Sequence, residues 1–141
     1  MSVIKTTLGC HRIVGGCGEG EALVTSQPIC FYFTDPKTGL MKEKGHELEG
    51  TRLAKKVLVF PSGKGSSVVQ VDGLFRLASN GVAPKALIVK EVETVLIVSA
   101  VLARIPLVDR LERNPFGTIH TGDTVKVDAE KGQVVIKSGK T

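Results

Sequence analysis

Three short apolar runs lie between residues 56 and 108 of the chain. They are residues 56–60 (KVLVF), 84–90 (PKALIVK) and 105–108 (IPLV). Runs of this length, bounded by glycine, proline or charged residues, predict buried β-strands. The third run carries its proline near the start, where a strand tolerates it.

Two helices are predicted between these strands. In residues 68–79, apolar side chains recur at helical spacing on one face: Val68, Val71, Leu74, Phe75 and Ala78. Residues 91–104 are apolar all round, which fits a helix or a strand. Their length, and Glu91 and Glu93 at their start, favour a helix. The order strand, helix, strand, helix, strand predicts an α/β fold with a parallel sheet and right-handed crossovers.

The C-terminal region predicts a β-hairpin. Residues 121–128 (TGDTVKVD) and 132–137 (GQVVIK) alternate apolar and polar positions on either side of a glycine-ended turn. Residues 11–14 and 21–25 are strand candidates near the other end of the chain. We expect them to join the hairpin in a second, mostly antiparallel β layer.

The remaining N-terminal segments predict turns, one more strand and a loop. Residues 15–20 (GGCGEG) lack the GxGxxG spacing of a dinucleotide loop, and a strand follows them, so a hairpin or bulged turn is the interpretation. Residues 30–33 (CFYF) predict a short strand. Residues 40–52 are polar and predict a surface loop or flap, in which His46 is expected to be solvated.

Composition narrows the class of protein. A chain of 141 residues predicts a single domain over residues 1–141. The net charge of +5 comes from scattered lysines and arginines, and aromatic residues make up only 4%, which disfavours a nucleic-acid interface. An anionic substrate or an acidic partner fits this charge. With no signal peptide and no apolar run near the ~20 residues that span a bilayer, the chain is expected to be cytoplasmic.

The cysteines predict free thiols. Cys10, Cys17 and Cys30 show no zinc-ligand spacing and no CxxC pair. An odd number of cysteines cannot all pair within one chain. We therefore expect this chain to bind no metal of its own.

The strongest chemical candidate is the connection between the first predicted strand and helix, residues 60–67 (FPSGKGSS). A helix N-terminus offers backbone N–H groups and a positive dipole end to an anion. Lys64 adds a full positive charge, and Ser66 and Ser67 supply hydroxyls and helix-capping chemistry. The segment therefore predicts either a site for a carboxylate or phosphate, or simply a capped helix after a tight turn.

Several catalytic motifs are excluded by spacing. A phosphate-binding P-loop needs a glycine where Leu58 stands and a serine or threonine where Gly65 stands. Neither a GxSxG elbow nor an HExxH helix occurs. As a general base, His120 would need a partner side chain to orient it, and the spacing along the sequence identifies none. Asp109 and Arg110 follow a strand end, where a substrate-facing pair or an ordinary surface ion pair would lie.

Ser66 is left as the candidate for proton transfer. A serine hydroxyl is a poor base at neutral pH and needs donors or positive charge to stabilise its alkoxide. The helix N-terminus and Lys64 are donors of that type, but the chain supplies no obvious acid. We therefore expect a second chain to supply the rest of any active site.

Five segments in order resemble one known family: residues 18–24 (GEGEALV), 61–67 (PSGKGSS), 80–88 (NGVAPKALI), 105–110 (IPLVDR) and 121–123 (TGD). Together they resemble the small, swivel-domain subunit of aconitase X-type hydro-lyases over almost the whole chain. The resemblance implies a swivelling β/β/α domain that pairs with a larger subunit carrying an iron–sulfur cluster. It also implies dehydration of a small hydroxy acid, either mevalonate 5-phosphate, as in archaeal members, or cis-3-hydroxy-L-proline, as in bacterial relatives.

The same resemblance assigns roles within the loop. It implies that Ser66 is the proton acceptor and that Gly63, Lys64, Gly65 and Ser67 bind the substrate. The IPLVDR segment is closer to the mevalonate 5-phosphate type.

The chain departs from the family pattern after the loop. Val69 and Gln70 stand where small residues are usual, next to the expected position of the substrate. This departure leaves altered specificity or lost activity open. The alternative function is a non-catalytic swivel module that binds an anion or regulates a partner.

Overall fold

The structure is a computed structural model that describes residues 3–139. Within these residues the strands are β1 (Val3–Gly9), β2 (His11–Val14), β3 (Cys17–Val24), β4 (Val57–Phe60), β5 (Ala86–Val89), β6 (Leu107–Asp109), β7 (Thr124–Asp128) and β8 (Gln133–Gly139). The helices are α1 (Ser67–Ser79), α2 (Thr94–Ala103) and α3 (Pro115–Thr118), with a 3-10 helix at Phe31–Phe33. The strands form one sheet in the order β1-β8-β7-β3-β4-β5-β6-β2.

Half of this sheet is the predicted parallel unit. Strands β3, β4, β5 and β6 run parallel in that order, and α1 and α2 connect β4 to β5 and β5 to β6. The predicted strand, helix, strand, helix, strand order is therefore confirmed. The carboxyl ends of these strands lie at one edge, where open α/β sheets place their sites.

The strands on the other side of β3 are antiparallel, as predicted, but residues 11–14 do not join them, because β2 pairs with β6 at the opposite end of the sheet. Strands β7 and β8 pair through a hairpin, β1 pairs with β8, and the first part of β3 pairs with β7. Strand β3 joins the halves, because Cys17–Glu21 face β7 whereas Ala22–Val24 face β4. The α/β fold class with a second, mostly antiparallel β layer is confirmed.

The strand β4 shows how the layers pack. All four of its residues are buried, as expected for a central parallel strand. Leu58 and Phe60 contribute to a core beneath the helices, and Val57 and Val59 to a second core with the antiparallel strands. Full burial of each such side chain contributes about 1.5–3 kcal/mol. The helices, the parallel strands and the curled antiparallel strands thus form the three layers of the β/β/α arrangement.

Two predictions in the N-terminal part were wrong. Residues 30–33 form no strand: Phe31–Phe33 is a 3-10 helix that packs against α1. The glycine cluster does not close a hairpin, because β2 pairs with β6 and β3 with β7 and β4. Gly18 and Gly20 lie inside β3, where an added Cβ would come within 2.2 Å of the Lys85 carbonyl and 2.5 Å of the Lys55 carbonyl. The glycines are needed for close backbone approach.

The apolar face predicted for α1 coincides only in part with its buried face. Leu74 is buried, but Val68 and Phe75 are exposed, and the other buried positions are Gln70, Gly73 and Leu77. Helical spacing of large apolar residues missed part of the inner stripe, because a glutamine and a glycine lie on it.

None of the helices in residues 3–139 is both long and apolar enough to cross a membrane.

Candidate functional site

The segment between β4 and α1, residues 61–66, is the serine loop, and the protein backbone holds it on two sides. The N–H of Ile29 donates to the Ser62 carbonyl at 3.1 Å, and the N–H of Lys64 donates back to the Ile29 carbonyl at 3.2 Å. On the other side, the N–H of Glu91 donates to the Pro61 carbonyl at 3.0 Å. The loop is therefore a fixed feature at the carboxyl edge of the parallel strands.

Ser66 ends this loop and is the N-cap residue of α1. Its backbone is extended, with φ −69° and ψ 161°, and its Oγ accepts a long hydrogen bond of 3.5 Å from the N–H of Val69. Ser66 and Ser67 are both exposed. The first N–H groups of a helix have no acceptors within the helix, so they point outward beside the Ser66 hydroxyl with the positive end of the dipole.

Gln70 supports the loop from beneath. Its side chain is buried, and its Nε2 donates to the Gly65 carbonyl at 2.8 Å. Its own N–H donates to the Ser66 carbonyl at 3.0 Å. An added Cβ on Gly63 would lie 2.4 Å from the Gln70 Oε1, so the amide fills the space that the glycine leaves. Gln70 therefore lies against the loop that is expected to bind the substrate, and Val69 is half-buried.

Gly65 has a backbone conformation that favours glycine. Its φ is +101°, in the region that other residues rarely adopt. An added Cβ would also lie 3.1 Å from the Sγ of Cys30, which is buried under the loop. The two glycines of the loop are thus required for separate reasons, one for space beside Gln70 and one for conformation.

Lys64 is not a free charge in this structure. Its Nζ contacts the Oε2 of Glu43 at 2.5 Å, and the two side chains are 39% and 23% exposed. The other oxygen of Glu43, Oε1, is buried without a hydrogen-bond partner among the described residues. Sequence reasoning missed Glu43 because 21 residues separate it from Lys64, and no periodic pattern links a loop residue to a distant loop.

The segment of residues 40–52 is held beside the serine loop. His46 was expected to be solvated, which is wrong: it is 6% exposed. Its Nδ1 accepts from the N–H of Leu48 at 3.0 Å, so its Nε2 carries the proton and donates to the Pro28 carbonyl at 2.9 Å. Pro28 directly precedes Ile29, which is bonded to the serine loop.

Glu47 fixes the same segment to the end of β3. Its Oε1 accepts from the Thr25 hydroxyl at 2.5 Å and from the N–H of Ser26 at 2.9 Å, and its Oε2 accepts from the Ser26 hydroxyl. These hydrogen bonds, with the Thr25 hydroxyl first, lower the pKa of Glu47. The segment is thereby anchored on the side from which Glu43 reaches Lys64.

The remaining candidates from the sequence lie outside this arrangement. His120 is exposed, with its Nδ1 3.9 Å from Asp123, and none of its described contacts involves the serine loop. Asp109 is buried and accepts a 2.9 Å hydrogen bond from the Nδ1 of His11, in addition to the expected ion pair with Arg110. Arg110 lies 4.0 Å from the Asp109 carboxylate at the carboxyl end of β6.

The cysteines do not fit a metal or an iron–sulfur cluster. Cys10, Cys17 and Cys30 are all free thiols. Burial raises the pKa of Cys10 to about 11, and the hydrogen bond to Asp128 raises that of Cys17. Cluster ligands are thiolates, so these two thiols are poorly suited to the role. In the described part of the chain, no group of three or more histidine, cysteine or acidic side chains could hold a metal ion.

The serine loop and the start of α1 form the candidate site. They offer an exposed hydroxyl on a hydrogen-bonded loop, the positive end of a helix and a nearby lysine, all suited to an anionic ligand. The residues described here place no histidine or carboxylate against the Ser66 hydroxyl.

Comparison with known proteins places this arrangement in context. Residues 7–136 match the family described as the aconitase X swivel domain. The phosphomevalonate dehydratase small subunit of Methanocella arvoryzae is 48% identical over 123 residues, covering 86% of this chain and 92% of the relative. The protein of the same name from Archaeoglobus fulgidus is 46% identical over 126 residues, covering 89% and 94%.

A solved structure is similar as well. The crystal structure of Thermococcus kodakaraensis aconitase X in its holo-form superimposes with a TM-score of 0.84 at 39% identity. The superposition covers 93% of this chain and 98% of the solved chain. The similarity therefore extends over nearly the whole of both chains.

Proposed function

Because this chain belongs to the aconitase X swivel-domain family, we propose that it is the small subunit of a two-chain hydro-lyase that dehydrates mevalonate 5-phosphate. The family resemblance found in the sequence is confirmed. The observation that supports the substrate is the near full-length identity with small subunits named for phosphomevalonate dehydration.

Ser66 is the proposed proton acceptor. Dehydration removes a proton from one carbon and a hydroxyl group from its neighbour, which leaves a carbon–carbon double bond and releases water. The Ser66 hydroxyl first gives its own proton to a base of the large subunit, and the resulting alkoxide takes the proton from carbon. The N–H groups that open α1 stabilise the negative charge on that alkoxide oxygen. The backbone bonds at Ile29 and Glu91 support this role, because they fix the loop before the substrate arrives.

Lys64 is the proposed partner for an anionic group of the substrate. In the present structure Glu43 neutralises it, so an incoming phosphate or carboxylate competes with the Glu43 carboxylate for the same ammonium group. Gly63, Gly65 and Ser67 complete the proposed substrate-binding set, because glycines allow close approach to the backbone and Ser67 adds a hydroxyl.

The large subunit supplies the rest of the proposed site. The relatives are named small subunits, which implies a larger partner. We assign the iron–sulfur cluster to that partner, because Cys10, Cys17 and Cys30 do not fit one here. Held there, the cluster would supply a Lewis acid for departure of the hydroxyl group. The proposed reaction involves no nucleic acid or membrane. The proposed enzyme is a cytoplasmic heterodimer in which residues 1–141 contribute one swivel domain.

Reconstitution tests the proposal. The chain is combined with the large aconitase X-type subunit from the same organism, and loss of water from mevalonate 5-phosphate and from cis-3-hydroxy-L-proline is measured. We expect turnover of mevalonate 5-phosphate only when both subunits are present. Turnover of the proline substrate alone would overturn the substrate assignment. An assembled complex inactive on both would favour a non-catalytic swivel module.

A further inference from the structure

The two helices present an exposed apolar surface, which we call the helical face. On α1 it consists of Val68, Val71 and Phe75, and on α2 of Val98, Val101 and Leu102. Val68 is 76% exposed, and Leu102 is 52% exposed. Between the helices lies an open groove of about 610 Å³ lined by Ser67, Val68, Val71, Asp72, Phe75 and Leu102.

This concentration of apolar side chains is unusual for a free surface. Among the described residues, the large hydrophobic side chains that are strongly exposed are Ile4, Tyr32, Phe33, Val68, Phe75, Val98, Val101 and Leu102. Five of these belong to the helical face, and Tyr32 and Phe33 lie in the 3-10 helix that packs on α1. Single exposed apolar residues need no explanation, but a contiguous apolar patch marks an interaction surface.

The helical face has the polar edge expected of an interface. Asp72 and Arg76 form an ion pair of 2.8 Å on α1, and the Arg76 guanidinium lies 5.6 Å from the centre of the Tyr32 ring. An apolar centre with aromatic and arginine side chains at its margin is typical of protein–protein contacts.

The position of the groove identifies what covers it. Ser67 lines the groove and directly follows Ser66, so the apolar surface begins where the serine loop ends. Residues 3–139 place no acid or metal site beside Ser66, so a molecule that completes its site must approach the N-terminus of α1. Such a molecule contacts Val68 next, one residue into the helix. A second copy of this chain would bring the same incomplete set of groups.

We propose that the helical face is the surface on which the large subunit docks, with its catalytic groups placed over the serine loop. This inference rests on the proposed function, because it takes the large subunit as the molecule that completes the Ser66 site. It adds a specific surface and specific anchor residues to that function. Phe75 and Leu102 are the proposed central anchors, because they line the groove from α1 and from α2, respectively.

Charge substitutions test the docking surface. Phe75→Glu and Leu102→Glu are compared with Ile4→Glu, a matched change at an apolar residue that is 66% exposed in β1, away from the helices. Affinity for the large subunit from the same organism is measured by titration calorimetry, and folding of each variant by circular dichroism. We expect about a hundredfold weaker binding for the two groove variants, since removal of a central anchor is among the costliest interface changes. Ile4→Glu is expected to bind as the wild-type chain does.

Amide hydrogen exchange of the unmodified chain provides a second measurement that needs no substitution. Addition of the large subunit is expected to protect the first turns of α1 and the last turn of α2. Unchanged exchange there, or wild-type affinity of both groove variants, would overturn the proposal. It would also be overturned if the face proved to be a homodimer contact that leaves the large subunit free to bind.

The outcomes separate this proposal from the proposed function. Binding is measured without turnover, so a complex that assembles through the helical face and dehydrates neither substrate would refute the function alone. A complex that is active but insensitive to Phe75→Glu and Leu102→Glu would refute the docking surface alone.

Discussion

Gln70 is the residue on which the position of the Ser66 hydroxyl depends most directly. It is buried beneath the loop, donates to the Gly65 carbonyl, and lies next to the space that Gly63 leaves open. This part-buried hydrogen bond contributes about 0.5–1.5 kcal/mol to stability. Without this bond, the loop would relax by moving the Gly65 carbonyl, and with it the following serine.

We predict that Gln70→Met lowers the kcat of the assembled enzyme between about tenfold and a hundredfold, because small misplacements of a catalytic group have effects of that size. Methionine has a similar volume, so the change isolates the hydrogen bond from the packing. The readouts are steady-state kinetics and thermal unfolding of the complex. Gln133→Met, on the exposed surface of β8, serves as the control. Unchanged kcat in the Gln70 variant would remove its positioning role.

At the residue scale, the sequence identified the proposed proton acceptor, Ser66, but not the residues that hold its loop in place. Ser66 was accessible to reasoning because a serine after two glycines, between a strand and a helix, is a local pattern. Gln70, Glu43 and His46 were missed or misplaced because their partners are the Gly65 carbonyl, Lys64 and the Pro28 carbonyl. Contacts of that kind, from side chains to distant or unpatterned groups, carry no periodic signal.

At the element scale, α1 contributes to two surfaces, the buried core on its inner side and the helical face on its outer side. Its inner stripe contains Gly73, Leu74 and Leu77, and its outer stripe contains Val68, Val71 and Phe75. Gly73 allows the 3-10 helix Phe31–Phe33 to approach closely, because an added Cβ would lie 2.3 Å from the Tyr32 nitrogen and 2.6 Å from the Phe31 carbonyl carbon. At Gly73, α1 therefore contacts the backbone of the 3-10 helix directly, with no side chain between them.

We predict that Gly73→Ala destabilises the chain, although alanine is favoured over glycine inside a helix by about 1 kcal/mol. The clash with backbone atoms outweighs that gain, since backbone cannot move aside as a flexible side chain does. Chemical denaturation of the isolated chain measures the change in free energy of unfolding.

Gly117→Ala in α3 is the matched control, because nothing lies within 4 Å of its added Cβ. It is expected to leave stability nearly unchanged. A Gly73→Ala chain that is as stable as wild type or more so would contradict the close packing of α1 on the 3-10 helix.

Element types were predictable where the pattern was long or strictly periodic. The buried strands, both long helices and the C-terminal hairpin follow from runs and alternation that local physics favours. The 3-10 helix at Phe31–Phe33 was not predictable in this way, since three aromatic residues fit a strand equally well. The inner stripe of α1 was missed because several large apolar residues of this helix, such as Val68 and Phe75, lie on its exposed outer stripe.

At the scale of the whole molecule, the fold places the serine loop next to the helical face. The parallel strands end at one edge, the serine loop leaves β4 there, and α1 carries the chain from Ser66 directly into the apolar groove. The antiparallel strands pack on the face of the parallel strands that lies opposite α1 and α2. The strand order, and the pairing of β3 with both β7 and β4, could not be predicted from the sequence. Pairing between distant strands depends on packing of the whole chain.

The central claim is that Ser66 takes the proton in an active site shared with the large subunit. The most direct test is the kcat of the assembled complex carrying Ser66→Ala, beside Ser66→Gly, which retains most of the helix-capping energy, and Ser79→Ala at the exposed far end of the same helix. We predict that both Ser66 variants assemble normally and lose about 10²- to 10⁴-fold in kcat, the range for loss of a general base. Ser79→Ala is predicted to retain full activity. Wild-type turnover in an assembled Ser66→Ala complex would contradict the account.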